Sequence, residues 1–293
     1  MSEVAELAAA VLAKAQVMFL GERFLETLLG LLAFVLVVEL LTRRQWKRYW
    51  SRGFLTDVAY YLFFACGLYY LLFSGPIDRL FKAFFHGPGS FLLLNPLGSV
   101  PDVPKALLVI VAIDGIEYAM HRFAHRNSLY WRFHCIHHSA RTLTPLTKFR
   151  VHWVDRTVFG TVKAIPIIML GGADLAWMPY LPVTFLSVFA HFDVDVHWGP
   201  VLGRIFVSPR FHRVHHSTDP EQCNTNFAAL FSFWDYLFGT AAKDLTRPKA
   251  YGCPDVDVPE GFVRQFFFPF LLLAGGAPGR ASGAPAPAEG TAR

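Results

Sequence analysis

The sequence predicts an all-α integral membrane helical bundle, about three transmembrane helices plus a membrane hairpin, topped by a cytoplasmic cap of histidine boxes. Three observations predict it. Hydrophobic residues make up 54% of the chain and charged residues only 17%, whereas an ordinary soluble domain is about a quarter charged. Apolar runs of near-membrane length recur in the first 120 residues. Eleven of the twelve histidines lie between His121 and His216, a crowding that scattered surface imidazoles do not produce.

The first run, Phe24 to Leu41, is long enough to cross about 30 Å of hydrocarbon at about 1.5 Å per residue. Glu39 near its end is placed at the interface. The segment "TRRQWKRYWSR" follows, with Arg43, Arg44, Lys47, Arg48 and Arg52 interleaved with Trp46, Tyr49 and Trp50. Basic residues among interfacial aromatics mark a cytoplasmic loop. A second run, Phe54 to Phe73, leads to a Gly/Pro-rich segment on the other side. A third, Val103 to Met120, returns and brings His121 to the cytoplasmic face. The region Val158 to Ala190 is broken by "GGAD" and by Pro166, Pro179 and Pro182, and reads as a hairpin that enters and leaves on one side.

The ends are simpler. Ser2 to Lys14 reads as a short helix without the pattern of a cleaved signal peptide, and the Ala/Gly/Pro-rich last twenty residues read as disordered. Three units follow: membrane helices and loops over 1–104, a catalytic domain over 105–272, and a tail over 273–293. Cys66, Cys135, Cys223 and Cys253 form no CxxC pair and read as reduced thiols. The net charge of +5 comes without a long basic tract beyond the membrane-flanking loops, so lipid headgroups, and no nucleic acid, are the expected partners.

The histidines carry the chemistry. At about 100° per residue, Asp114, Glu117, His121 and His125 share one narrow face of the third helix. "HCIHH" sets His134, His137 and His138 at i, i+3, i+4, where they point one way on a helix, and "HRVHH" repeats the pattern with His212, His215 and His216. Eight imidazoles suit two metal ions better than one. Neutral imidazole accepts iron, zinc, copper or nickel, so spacing alone leaves the metal open. A zinc protease requires HExxH, and no "HE" dipeptide occurs. A haem bundle needs only one or two axial histidines per haem. An oxygen-activating diiron site fits best; a zinc-dependent membrane hydrolase and a non-catalytic membrane metal-binding protein stand as alternatives.

"DGIEYAMHRFAH", "LYWRFHCIHHS" and "SPRFHRVHHSTDPEQCNTNFAALFSFWDYLFGT" resemble the entry, second and last boxes of the fatty acid hydroxylase/sterol desaturase superfamily of integral membrane non-haem diiron enzymes. The tail "YGCPDVDVPEGFVRQFFFPF" is similar to the end of its bacterial members, which implies a bacterial inner membrane, and coverage runs from about Leu107 to Phe270. The resemblance implies metal ligation by His121, His125, His134, His137, His138, His212, His215 and His216. It adds His191 as a ninth ligand, with Asp193 where relatives carry Asn.

His152, in "RVHWVD", matches a family histidine of a stretch in which Trp153 and Asp155 replace Pro and Glu, so it is a candidate ligand or ligand support, as is Asp193. Asp114 matches the family Asp and is expected to orient His121 or to bind metal. Glu117 is an extra carboxylate on that face, and both acids are catalytic candidates. The implied cofactor is two iron ions with O₂ as co-substrate. The implied partners are a membrane lipid substrate (fatty acyl, sphingoid, sterol or carotenoid) and a separate electron donor, a ferredoxin or a small cytochrome with its reductase, because no haem, flavin or iron–sulfur segment is visible. Hydroxylation is preferred to desaturation. His197 and His86 read as ordinary polar side chains, Cys135 as packing, and Asn226, Trp234, Asp235 and Gly239 as structural.

Overall fold

A computed structural model describes residues 30, 33–40, 46–171 and 180–275. The N-terminal helix, half of the first apolar run, all but the first residue of the "GGAD" break, and the last eighteen residues fall outside it. Among the described residues the regular structure is helical apart from one isolated antiparallel bridge, Ser217 to Tyr251, and all four cysteines are free.

The principal helices are α1 (Arg52–Ala65), α2 (Gly75–Phe85), α3 (Asp102–Arg126), α4 (Ser128–His138), α5 (Trp153–Met169), α6 (Tyr180–Ala190), α7 (Pro209–His215) and α8 (Phe262–Leu273). Side chains set their starts. Ser51 accepts from Phe54 N at 3.0 Å to open α1, and Ser208 with Pro209 behind it opens α7 by accepting from Phe211 N at 3.2 Å. Asn127 does two jobs. Its backbone N–H closes α3 on the Phe123 carbonyl, and its Oδ1 opens α4 by accepting from Tyr130 N at 2.9 Å. One extended residue thus folds α4 back against α3, which brings the first two histidine boxes together.

The described helices do not supply the three straight crossings expected from the apolar runs: no single one is long and apolar enough to cross a membrane. α1 and the helical stretch Tyr70–Phe85, bent by 47° at the break, meet that requirement only as a pair. α3 fails on composition, because Lys105, Asp114, Glu117 and Arg122 interrupt its apolar run; of these, Lys105 and Asp114 are buried within the protein. Glu39, expected at an interface, is fully buried beside Arg48 at 3.7 Å and accepts a hydrogen bond from Tyr49. Large apolar side chains are exposed along several helices, Leu55 and Leu80 on the bent pair, Val103 and Leu107 on α3, Val263 and Leu271 on α8.

A buried ion pair ties α1 to the site. Arg150 Nε donates to Asp57 Oδ1 at 2.6 Å, Asp57 Oδ2 accepts from Thr144 and Thr147, and Arg150 also reaches the Gly53 carbonyl. Arg150 and Asp57 are 2% and 1% exposed, so each charge depends on the other. α8 packs on α1 and α4 and covers this side.

Candidate metal centre

Nine histidines converge in two groups. His121, His125, His134, His138 and His215 form one, and His137, His191, His212 and His216 form the other; within each, one nitrogen per ring lies within 4.8 Å of every other. His125 is half-buried and the other eight are buried. Each HxxHH box is divided between the groups. His134 and His138, one turn apart on α4, serve the first group while His137 serves the second; on the "HRVHH" box, His212 and His216 serve the second and His215 the first. Neighbouring helix positions point about 100° apart, so each box straddles the gap between the groups.

The outward-facing nitrogens fix the tautomers. Nδ1 of His121 lies 2.7 Å from the Phe227 carbonyl, that of His215 2.8 Å from the Thr225 carbonyl, and that of His125 3.4 Å from Asn224 Oδ1. In the second group, Nδ1 of His137 is 3.2 Å from the Arg150 carbonyl and that of His191 2.7 Å from the Ser187 carbonyl. A carbonyl only accepts, so these Nδ1 atoms carry the proton and Nε2 keeps a bare lone pair.

Those lone pairs face one another. His121 and His215 bring Nε2 atoms to 2.9 Å in the first group, and His137 and His191 to 3.5 Å in the second. No proton bridges two such atoms while both Nδ1–H groups are spent outward, and two bare lone pairs at this distance repel. A cation between them resolves the conflict. Ligands about 2.1 Å from one ion are separated by about 3.0–3.4 Å at octahedral to tetrahedral angles, so the observed spacings fit shared ligation. Buried His134 Nε2, which has no hydrogen-bond partner, is another open donor atom. The residues present therefore fit a metal in each group.

Burial, followed for most of them by repulsion from neighbouring imidazoles, holds the group histidines below the ordinary histidine range, well below for all but His121. Neutral imidazole is the form that binds metal.

The supporting shell departs from the sequence expectations. Asp114 does not orient His121: its oxygens accept from Leu230 N, Phe231 N and Trp234 Nε1 at 2.9, 2.9 and 3.1 Å. Gly115 beside it leaves room for that indole, which a Cβ would meet at 2.9 Å. Glu117 pairs with Lys163 rather than a histidine. His152 caps α5, accepting from Val154 N through Nδ1 at 3.2 Å, while its Nε2–H donates to the Phe266 carbonyl at 3.0 Å; both nitrogens are spent, which leaves none for a metal. Asp193 accepts from Arg247 and from Tyr251, the latter at 2.8 Å, which anchors the following loop. His197 is exposed and accepts from Gly199 N at 3.0 Å.

The carboxylate that does meet a histidine is Asp155. Its Oδ2 lies 2.9 Å from His134 Nδ1 and its Oδ1 accepts from Tyr130 at 2.8 Å. Burial pushes it up to about 7 while the Tyr130 hydrogen bond pulls the other way. The signal for it was its place in "RVHWVD", where relatives carry Glu.

Residues 224–240 form the shelf beneath the first group. Asn226 takes φ 57°, donates to the Phe211 carbonyl and accepts from Ala242 N. Asp235 accepts from Phe227 N, Ala228 N and Thr240 Oγ1. Together they hold the Thr225 and Phe227 carbonyls where His215 and His121 meet them. A cavity of about 370 Å³ opens beside both groups, lined by His121, His134, His137, His191 and His212.

Residues 106–240 match the sequence profile described as fatty acid hydroxylase. The chain is 33% identical over 175 residues to ornithine lipid hydroxylase OlsE of Rhizobium tropici, covering 57% of this chain and 51% of that protein. It is 30% identical over 167 residues to very-long-chain aldehyde decarbonylase GL1-1 of Oryza sativa subsp. indica, covering 53% of this chain and 26% of that protein. The chain thus spans about half the length of the first relative and about a quarter of the second. No solved structure matches it. Residues 106–240, which hold all nine clustered histidines, are thus similar in sequence to the fatty acid hydroxylase family.

Proposed function

We propose that the protein is a membrane-bound non-haem diiron oxygenase that uses O₂ and electrons from a separate donor to hydroxylate a lipid. The observation that carries this reading is the pair of imidazole groups, with bare Nε2 atoms face to face, opening on one cavity. Iron bound there would supply the oxidising power to break an unactivated C–H bond, chemistry that no side chain provides.

The chain's own residues perform the positioning. The carbonyls of Phe227, Thr225, Arg150 and Ser187 and the Asp155 carboxylate hold the ring protons, so the rings cannot turn. Phe159, Ala190 and Ala228 give the cavity an apolar wall, which limits water where a hydrocarbon segment would lie. Burial and exposed apolar side chains divide as a bilayer enzyme requires: the histidines are inside, while Leu55, Leu80, Val103, Leu107 and Val263 offer lipid a surface. The bent pair of α1 with Tyr70–Phe85 and the basic, aromatic stretch over 42–52 support the same placement, with the histidines on the cytoplasmic side of a bacterial inner membrane. Hydroxylation is preferred because the more similar of the two relatives above is a lipid hydroxylase by name.

Mass spectrometry of lipid extracts from a host with and without the protein tests the reading. A lipid that gains one oxygen supports it. A product lacking two hydrogens, or a chain that turns over lipid equally well without oxygen, refutes hydroxylation.

A further inference from the structure

The cavity beside the histidines is charged in a way that a hydrocarbon does not require. Lys148, Arg156 and Lys163 line it, together with Glu117 and Asp155. The two carboxylates are committed: Asp155 to Tyr130 and His134, Glu117 to Lys163. Among the described residues, Lys148 and Arg156 form no ion pair with a carboxylate. Lys148 reaches the Thr184 carbonyl at 3.4 Å and lies 5.9 Å from the Phe149 ring centroid, and Arg156 lies over the rings of Phe64 and Tyr69, 4.8 and 6.0 Å from their centroids. Both cations are half-buried. Burial, and then the repulsion of Arg156, pushes the Lys148 ammonium down to about 7 against the pull of Glu117.

A second cavity of about 270 Å³ shares Lys148, Arg156, Lys163 and Glu117 with the first and continues along Ile110, Ile113 and Val183. The cations therefore stand where a histidine-lined space joins an apolar one. A solvated surface patch would face outward, and Glu117, whose charge reaches Lys148, Arg156 and Lys163 alike, can balance only one of the three.

We propose that Lys148 and Arg156 bind an anionic group, a carboxylate or a phosphate, on the lipid that enters this cavity. The planar guanidinium of Arg156 suits the paired oxygens of either group, and Lys148 adds a point charge. The uncharged part of the lipid then lies along Ile110, Ile113 and Val183. That this lipid is the one oxidised rests on the oxygenase reading above; the binding itself does not.

The test measures equilibrium binding to the full chain, in a non-ionic detergent, of three probes sharing one alkyl chain: hexadecanoic acid, hexadecyl phosphate and hexadecanol. Inorganic phosphate serves as a competitor. The acid and the phosphate ester are expected to bind about tenfold tighter than the alcohol, a difference of about 1.4 kcal/mol. Lys148→Met and Arg156→Gln should each reduce that preference. Cobalt uptake verifies that each variant keeps its histidine groups, and failure of one variant to fold leaves the other decisive. Equal affinity for the alcohol, or a preference undiminished in the double variant, overturns the proposal. Inorganic phosphate competing as well as hexadecyl phosphate overturns it too, since the site would then recognise a free anion. Oxygen consumption driven by a reductase is recorded separately. Its absence alongside a clear anion preference sinks the oxygenase reading while the lipid-anion site stands.

Discussion

His134 Nδ1 lies 2.9 Å from Asp155 Oδ2, and this contact turns His134 Nε2, which has no protein partner, toward the first histidine group. Loss of a carboxylate that orients a ligand typically costs about 10–100-fold in metal affinity. Asp155→Ala should weaken cobalt binding at the first group by that factor and leave the second group unchanged, as read by an absorbance titration. An equal loss at both groups would contradict the division of the histidines.

The shelf beneath the first group depends on Asp235, which is fully buried and accepts from Phe227 N, Ala228 N and Thr240 Oγ1. Asp235→Ala strands the Phe227 and Ala228 N–H groups, each costing about 1–3 kcal/mol when buried, while Thr240 Oγ1 keeps the Tyr118 hydroxyl. A lower melting temperature is expected, together with weaker metal binding, because the Phe227 carbonyl that holds His121 loses its support. Unaltered melting and metal uptake would show that the loop is held by something else.

Asp57 and Arg150 form a buried pair. Asp57→Ala leaves a buried guanidinium without its counter-charge and should destabilise the protein by about 3–5 kcal/mol, whereas Asp57→Leu combined with Arg150→Met should recover much of that loss. Thermal unfolding of the two variants side by side checks the order.

The histidine groups also set a pH dependence. Their folded-state pKa values lie below the ordinary value of about 6.5, so in the metal-free protein the unfolded chain binds more protons than the folded one below that pH. Stability is then fully present above about pH 6.5 and falls as the pH drops through it. Chelator-treated protein should melt lower at about pH 5.5 than at about pH 7.5. Identical melting points at the two values would mean that the imidazoles are solvated rather than buried.

Eight of the nine clustered histidines were legible in the sequence because ligation demands one side-chain type at helical spacing, and His191, which lies in no box, came from the resemblance alone. Their sorting was not. Each HxxHH box reads as one face of a helix, yet His137 and His215 serve the group opposite to their box neighbours, since the plane between the groups cuts through the box. The wheel placed Asp114 with His121 correctly as a matter of direction, but Leu230 and Trp234 arrive from over a hundred residues away and claim both its oxygens. His152 shows the same limit: a helix start and the Phe266 carbonyl consume its two nitrogens, and neither partner is visible in local spacing. The apolar run in α3 suggested a crossing on its length, but Lys105, Asp114 and Glu117 make it too charged to cross alone.

The central claim is that each histidine group holds one metal ion. Metal content per chain after anaerobic iron loading tests it most directly, on the wild type and on His138→Ala and His216→Ala, which alter one group each. Two irons per wild-type chain, one in each single variant and none in the double variant are the expected results. One iron per wild-type chain, or the loss of all iron from either single variant, would contradict the account.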